Sequence, residues 1–303
     1  AYHYDISGDF LLDRDENTES AYEKLHKMIG LEAVKAQIDS IIAIDVVEKE
    51  RKRRGGTHYQ ASTMHMIFGG NPGSAKTTVA RLFAGIAKEK GVLKSGAFVE
   101  CGGMDLVGLG CEYTIQKAFR AAKGGVLFID EAYSLQGEIA ITTLLREMEN
   151  HREDCIVILA GYHERMKEFM ERNEGLRSRI PYWINFPDYN VAELTEIFQR
   201  MLQERGFHAT QEAAKEAQYI FEKVSRLDNF GNGRYVRNLV EGAMREQSVR
   251  LLAMRGEACD IGKRELFLIT KEDIKQLNEA RKEERPVGTA AKELEEMIGL
   301  SSV

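Results

Sequence analysis

The chain has 303 residues, 43% of them hydrophobic and 30% charged, with a formal net charge of −6. That length leaves room for two packed units of ordinary soluble composition. No window approaches the roughly 18 apolar residues of a membrane span, no signal-peptide pattern opens the chain, and the acidic balance argues against a general nucleic-acid binder. The chain starts on Ala rather than Met, so it reads as processed or cut from something larger. Its four cysteines, Cys101, Cys111, Cys155 and Cys259, form no CxxC pair and read as free, mostly buried thiols of a cytoplasmic protein.

Residues 1–20 are polar and acidic without a sustained period and read as a leader or linker. From Tyr22 to Glu50 an apolar period runs through Leu25, Met28, Val34, Ile38 and Ile41, predicting helices broken by the Ile29–Gly30–Leu31 turn. The basic run Lys49–Arg54 reads as a solvated helix end. Apolar runs at Met64–Phe68, Ala97–Cys101, Val126–Ile129, Ile156–Ala160 and Trp183–Phe186 alternate with amphipathic segments. Strand-then-helix alternation predicts a five-stranded parallel sheet covered on both faces, an α/β domain over 21–187. After Pro187 the pattern turns to helices only, predicting a small α-helical domain over 188–280. Asn190 with Glu193 predicts one helix start, Thr210 a second, and Thr270 with Asp273 a short last helix carrying Ile274 and Leu277.

Residues 22–34 (YEKLHKMIGLEAV) and 291–303 (AKELEEMIGLSSV) agree at six of thirteen positions, MIGL among them. The recurrence follows one complete two-domain unit, so 281–303 reads as a linker and the start of a possible second module.

Two motifs carry chemistry. The apolar run ending at Phe68 leads into Gly69-Gly-Asn-Pro-Gly-Ser-Ala-Lys-Thr-Thr78 and then a helical period, the strand–loop–helix order of a phosphate-binding loop. Backbone N–H groups of Gly70, Asn71, Pro72's neighbours, Gly73, Ser74, Ala75 and Thr78 would wrap the phosphates, with the following helix pointing its positive end at them. Lys76 would add a point charge and Thr77 a hydroxyl for Mg²⁺. Ala75 stands where such loops carry Gly; if that position needs positive φ, the methyl costs roughly 1 kcal/mol. The second motif, Val126-Leu-Phe-Ile-Asp-Glu131, is an apolar strand delivering two carboxylates to the ligand edge of the sheet. Asp130 would hold Mg²⁺ through water and Glu131 would polarise the attacking water.

With Leu144–Met148, Gly161-Tyr162, Gly175-Leu-Arg-Ser-Arg179, Phe186-Pro-Asp-Tyr189 and Gly231-Asn-Gly-Arg-Tyr-Val-Arg-Asn238, these motifs resemble the AAA+ subfamily of stage V sporulation protein K and the red-type Rubisco activases, from about Met28 to Gln247. The resemblance implies a P-loop NTPase large domain with a C-terminal helical lid, binding ATP or ADP with Mg²⁺. It implies that Ile29 and Gly30 lie against the adenine. It implies an arginine finger from Arg177 or Arg179, Arg179 preferred, acting on the neighbouring subunit. It implies Arg234 as the lid arginine with Arg237 beside it, and Tyr162 at the polar sensor position.

It further implies a homo-oligomer, hexameric by analogy, remodelling a protein client whose identity the sequence does not contain; the acidic balance and the lack of an apolar span speak for no nucleic acid and no membrane as partner. One stretch departs from the family: after Asp105-Leu-Val-Gly108 the pore aromatic is replaced by Gly110, leaving Tyr113 three residues on either to grip a client or to pack. A nucleotide-binding scaffold with little turnover is the competing reading, favoured by Ala75 and this segment. A DNA-dependent motor is the third, disfavoured by the acidic balance.

Overall fold

The computed structural model describes residues 19–55, 63–227, 230–255 and 264–275. The second MIGL segment, Leu277 and Cys259 lie outside them.

The five apolar runs form β1 (Met66–Gly70), β2 (Phe98–Gly102), β3 (Val126–Asp130), β4 (Ile156–Gly161) and β5 (Tyr182–Phe186). They make one parallel five-stranded sheet, as expected, and its order is β2-β3-β4-β1-β5. Strands β1, β3 and β4 are apolar almost throughout because helices cover both faces, and successive side chains point to opposite sides. Met66, Phe68, Val126, Phe128 and Ile158 face one core, with α1 (Ala21–His26), α2 (Glu32–Arg53) and α3 (Lys76–Glu89). Ile67, Leu127, Ile129, Val157 and Leu159 face the other, with α4 (Cys111–Ala121), α5 (Glu138–Asn150) and α6 (His163–Arg172). Strand β1, between β4 and β5, ends at the phosphate loop and β3 ends at Asp130, so both motifs emerge at the carboxyl edge of the sheet, where open α/β sheets bind ligands.

The predicted helix starts are present. Asn190 with Glu193 forms a capping box on α8 (Val191–Glu204), and Ser20 with Glu23 forms another on α1 that was not anticipated. The Thr210 hydroxyl accepts from Ala213 N at 3.1 Å to start α9 (Gln211–Val224). Thr270 N donates to Asp273 Oδ2 at 2.8 Å ahead of a helical stretch over 271–275. The basic run closes α2, where Arg53 and Arg54 both pair with Glu50 and stay exposed, as a solvated helix end should.

One expectation needs correction: the segment after Pro187 is not helices only. A parallel two-residue ribbon joins β6 (His208–Ala209) to β7 (Leu268–Ile269) across the lid. Two residues are too short to leave a period of 2 in the sequence, and the pairing spans sixty residues. The long α10 (Asn232–Arg255) is fixed to this ribbon by Arg250, whose guanidinium donates to both oxygens of the buried Asp273 (2.7 and 3.0 Å). Cys111 and Cys155 are buried and Cys101 is half-buried; burial pushes the thiols of Cys101 and Cys155 up to about 12. Among the described residues no helix is long and apolar enough to cross a membrane.

His65 sits just before β1, 2% exposed, and its Nδ1 accepts the Val157 amide at 3.0 Å where the β1–β4 ladder has not yet begun. Burial, with a smaller push from Arg152, lowers its pKa from 6.5 to about 4. The unfolded chain therefore binds a proton that the folded chain refuses between those values, and stability present above pH 6.5 is lost as pH falls toward 4. At pH 5 the loss is roughly 2 kcal/mol. Urea unfolding at pH 7.5 and pH 5 should show His65→Asn, which keeps an acceptor at the same point but does not titrate, losing about that much less than the wild type.

Candidate functional site

A crevice of about 680 Å³ opens between the sheet edge and the lid. Its floor is the phosphate loop. Gly70 is confined by β5: a Cβ there would sit 2.5 Å from the Phe186 carbonyl oxygen. Gly73 has φ +71° and faces the lid so closely that a Cβ would lie 2.2 Å from the Gly231 carbonyl oxygen. Ala75 also has φ +71°, so the condition attached to this position is met: the methyl sits in left-handed backbone directly ahead of α3. Lys76, Thr77 and Thr78 open α3 and line the crevice, with Ala75, Pro72 and Gly73. The Lys76 ammonium donates to the carbonyls of Gly70 (2.7 Å) and Asn71 (2.8 Å). Burial lowers its pKa and Arg234 adds to this, while Asp130 and Asp188 oppose the shift. An ammonium partly stripped of water and hydrogen-bonded to carbonyls is poised for a stronger anion.

Two predicted loop residues point elsewhere. Ser74 is fully buried and its hydroxyl donates to the Asn71 carbonyl at 2.7 Å. The Asn71 side chain leaves the crevice and donates to both oxygens of Asp188 (3.0 and 2.9 Å). From these two, only main-chain groups remain for a ligand.

The acidic pair stands across from Lys76. Asp130, half-buried at the end of β3, accepts from the Glu131 amide at 2.9 Å. Glu131 is exposed and left-handed, φ +48°, a conformation that costs a non-glycine residue on the order of 1–3 kcal/mol and that gathers at functional sites. Tyr162 lines the same wall at the start of α6, its ring 6.1 Å from that of Tyr133, with the Arg165 guanidinium over both.

The far end is a slot between the Met28–Ile29 turn and the lid. Ile29 lines it with Met28, and Gly30 lies just outside, where a Cβ would strike the Glu193 carboxylate on α8. The buried Lys35 holds this turn by donating to the Met28 carbonyl at 2.8 Å. The lid contributes Ile197, Met201, Arg200 and Glu204 from α8, and Arg234 and Arg237 from α10. Tyr189 also lines the slot, its hydroxyl pushed up to about 12 by burial and by Glu193. Phe186–Tyr189 and the helix start at Asn190 stand out in the sequence, but nothing local assigns them to the site. Alternation of apolar and charged residues on α8 was the available signal, and it reads equally as a core-facing helix.

Arg177 and Arg179 do not line the crevice. Arg177 is exposed at the end of the short α7 (Glu174–Arg177). Arg179 donates to the Gly175 carbonyl at 3.1 Å and stands 3.6 Å from Glu149. Tyr113, left open between gripping and packing, is 65% exposed in the first turn of α4 and is not packed into the core of the described residues. Leu109, between two left-handed glycines, is fully exposed.

A loop cradle at a helix N-terminus, a lysine within it, a strand-end carboxylate pair opposite and a helical lid carrying arginines define a P-loop nucleotide-binding protein of the AAA+ class. Comparison with known proteins agrees. Residues 66–187 match the model of the AAA family, the ATPase family associated with various cellular activities, and residues 190–285 match the AAA lid domain. The chain is 41% identical over 243 residues to stage V sporulation protein K of Bacillus subtilis (strain 168), covering 76% of this chain and 75% of that one. It is 39% identical over 260 residues to protein CbbX of Cereibacter sphaeroides, covering 82% and 83%. It is 40% identical over 259 residues to the chloroplastic ribulose bisphosphate carboxylase/oxygenase activase of Cyanidioschyzon merolae (strain NIES-3377 / 10D), covering 82% and 87%.

The chain belongs to the AAA ATPase family, in the group that contains stage V sporulation protein K and the CbbX and CfxQ proteins. The fold is shared more widely. The Thermotoga maritima RuvB branch migration motor superposes with a TM-score of 0.57 at 22% identity, over 83% of this chain and 70% of that one. The FIGL-1 AAA domain in complex with ADP superposes with 0.58 at 21% identity, over 82% and 80%.

The strain at Ala75 is open to measurement. Gly relieves roughly 1–2 kcal/mol of left-handed cost and gives back about 0.4–1 kcal/mol through the more flexible unfolded chain. Ala75→Gly is expected to raise the stability of the ligand-free chain by about 0.5–1 kcal/mol in chemical denaturation.

Proposed function

We propose that the crevice binds ATP with Mg²⁺ and hydrolyses it, and that an oligomer of this chain, hexameric by family analogy, uses the cycle to remodel a protein client. The observation that carries the reading is the placement of Lys76, Thr77, Asp130, Glu131 and Arg234 around one crevice. The loop amides and Lys76 hold the phosphates, and the slot at Ile29, Tyr189 and Met201 takes the base. Thr77 and Asp130 offer a hydroxyl and a carboxylate, the hard oxygen donors that Mg²⁺ takes beside phosphate oxygens, and the ion would neutralise charge on the transferring phosphoryl. Glu131 polarises the attacking water, with its carboxylate offset from Asp130 by the left-handed turn between them. Arg234 approaches the phosphates from the lid of the same chain.

Arg177 and Arg179 lie away from their own crevice and act on a neighbour's, Arg179 first, stabilising charge in the transition state. Arg179 is moored to α7 through the Gly175 carbonyl and to α5 through Glu149, which fixes its direction. The similarity to activases supports a protein as client, and exposed Leu109 and Tyr113 are the apolar side chains that would meet it.

Glu131→Gln should lower kcat at least 100-fold, the range of loss when a water-positioning group is removed, and leave ATP bound. Arg179→Ala should be equally slow alone, yet recover turnover when mixed with Glu131→Gln, since each variant supplies what its neighbour lacks. Turnover that is independent of protein concentration and unaffected by Arg177→Ala and Arg179→Ala would refute action between subunits. Binding without turnover at any concentration would establish instead the scaffold reading, which the strained Ala75 favours.

A further inference from the structure

Asn232 opens α10 yet does not behave as a helix cap. It is fully buried and left-handed, φ +44°. A residue there is chosen for its side chain, because the backbone is unfavourable for anything but Gly and Asn tolerates it best among the rest. An ordinary cap would accept from an amide of its own helix. The Asn232 Oδ1 instead accepts from Tyr189 N at 2.9 Å, and its Nδ2 donates to Asp188 Oδ1 at 2.6 Å, to the Phe230 carbonyl at 3.2 Å and to the Pro72 carbonyl at 3.4 Å. Most of this reach is outward, to the hinge and the phosphate loop.

Asp188 receives a second amide, that of Asn71, on both oxygens. The carboxylate therefore bridges loop and lid through charge-assisted hydrogen bonds, which are roughly twice as strong as neutral ones. Beneath this bridge the main chains touch: Gly233 N donates to the Gly73 carbonyl at 3.1 Å. Asn71 is the turning point. Its carbonyl accepts from Lys76 while its side chain reaches Asp188, so the ammonium that must turn to the phosphates leaves the residue that braces the lid.

We propose that Asn71, Asp188 and Asn232 form a latch that sets α10, and with it Arg234, against the phosphate loop, and through which filling of the loop is transmitted to the lid. All three are positioning residues; none presents its side chain to the phosphates. The proposal rests on the reading that nucleotide occupies this crevice.

The test uses the full chain with Asn232→Gly, which accepts the left-handed backbone and removes only the side chain, with Asn71→Ala, and with the two combined. Three quantities are read: affinity for a fluorescent ADP analogue, ADP-induced hydrogen-exchange protection of residues 231–236, and the ligand-free melting temperature. Each single variant should bind ADP roughly tenfold more weakly, lose the protection, and melt within about 3 °C of the wild type. The KM for ATP should rise in step while kcat at saturation stays within about threefold. The double variant should be no weaker than the weaker single, because members of one network do not add.

Affinity and protection within twofold of the wild type, or strictly additive losses, would overturn the latch. If Asn232→Gly does not fold, Asn71→Ala and Asp188→Asn, which sets an amide against the Asn71 amide, carry the same expectations. A wild-type chain that does not bind the ADP analogue would overturn the nucleotide reading itself, and that control is read first.

Discussion

The main chain of the phosphate loop meets the main chain of the lid with no side chain between them. Gly73 and Gly233 approach to hydrogen-bonding distance, and a single Cβ at Gly73 would strike Gly231. The rest of the site follows from that contact. It puts the start of α10 above the cradle, which turns Arg234 inward. It also closes the crevice on one side, so that a ligand meets loop amides below and lid side chains above. The parallel sheet supports it from beneath, with β1 held between β4 and β5 so that the loop emerges from an interior strand.

Backbone strain is concentrated here as well. The non-glycine residues with positive φ among those described are Leu31, Ala75, Glu131 and Asn232. Leu31 follows the Met28–Ile29 turn that lines the crevice, Ala75 stands directly ahead of α3, Glu131 carries one carboxylate of the acidic pair and Asn232 ties the start of α10 to Asp188 and Tyr189. Each sits where an element must change direction sharply to present a group to one crevice. Such conformations persist only when surrounding contacts determine them. Lys35 holds the turn before Leu31, the Asp130 carboxylate holds the Glu131 amide, and Asp188 holds Asn232.

Much of this was legible in the sequence because the relevant signals are local. Five apolar runs, their alternation with helical periods, and the caps at Asn190, Thr210 and Asp273 depend on residues a few positions apart. So do the Gly-rich loop and the Asp130–Glu131 pair, whose spacing is set by one turn of backbone. Other features needed contacts that spacing does not record. The β6–β7 ribbon is two residues long and pairs distant segments. Tyr189, Arg200 and Glu204 become site residues only because α8 folds back over the MIGL turn. Asn71 looked like a phosphate ligand, since every residue of such a loop does, yet its side chain belongs to Asp188. Tyr113 could have packed or faced out, and only the path of α4 put it in solvent.

What the sequence determined by itself was the chemistry: a cradle for phosphate, a lysine, two carboxylates at a strand end, and an alternation that makes a parallel sheet. These follow from covalent order, because each needs only neighbours along the chain. What the tertiary structure decided was the relation between the two units: which loop amide braces the lid, which arginines face their own crevice, and that Ala75 is held left-handed. Those depend on backbones far apart in sequence meeting at hydrogen-bonding distance, and no local period encodes such a meeting.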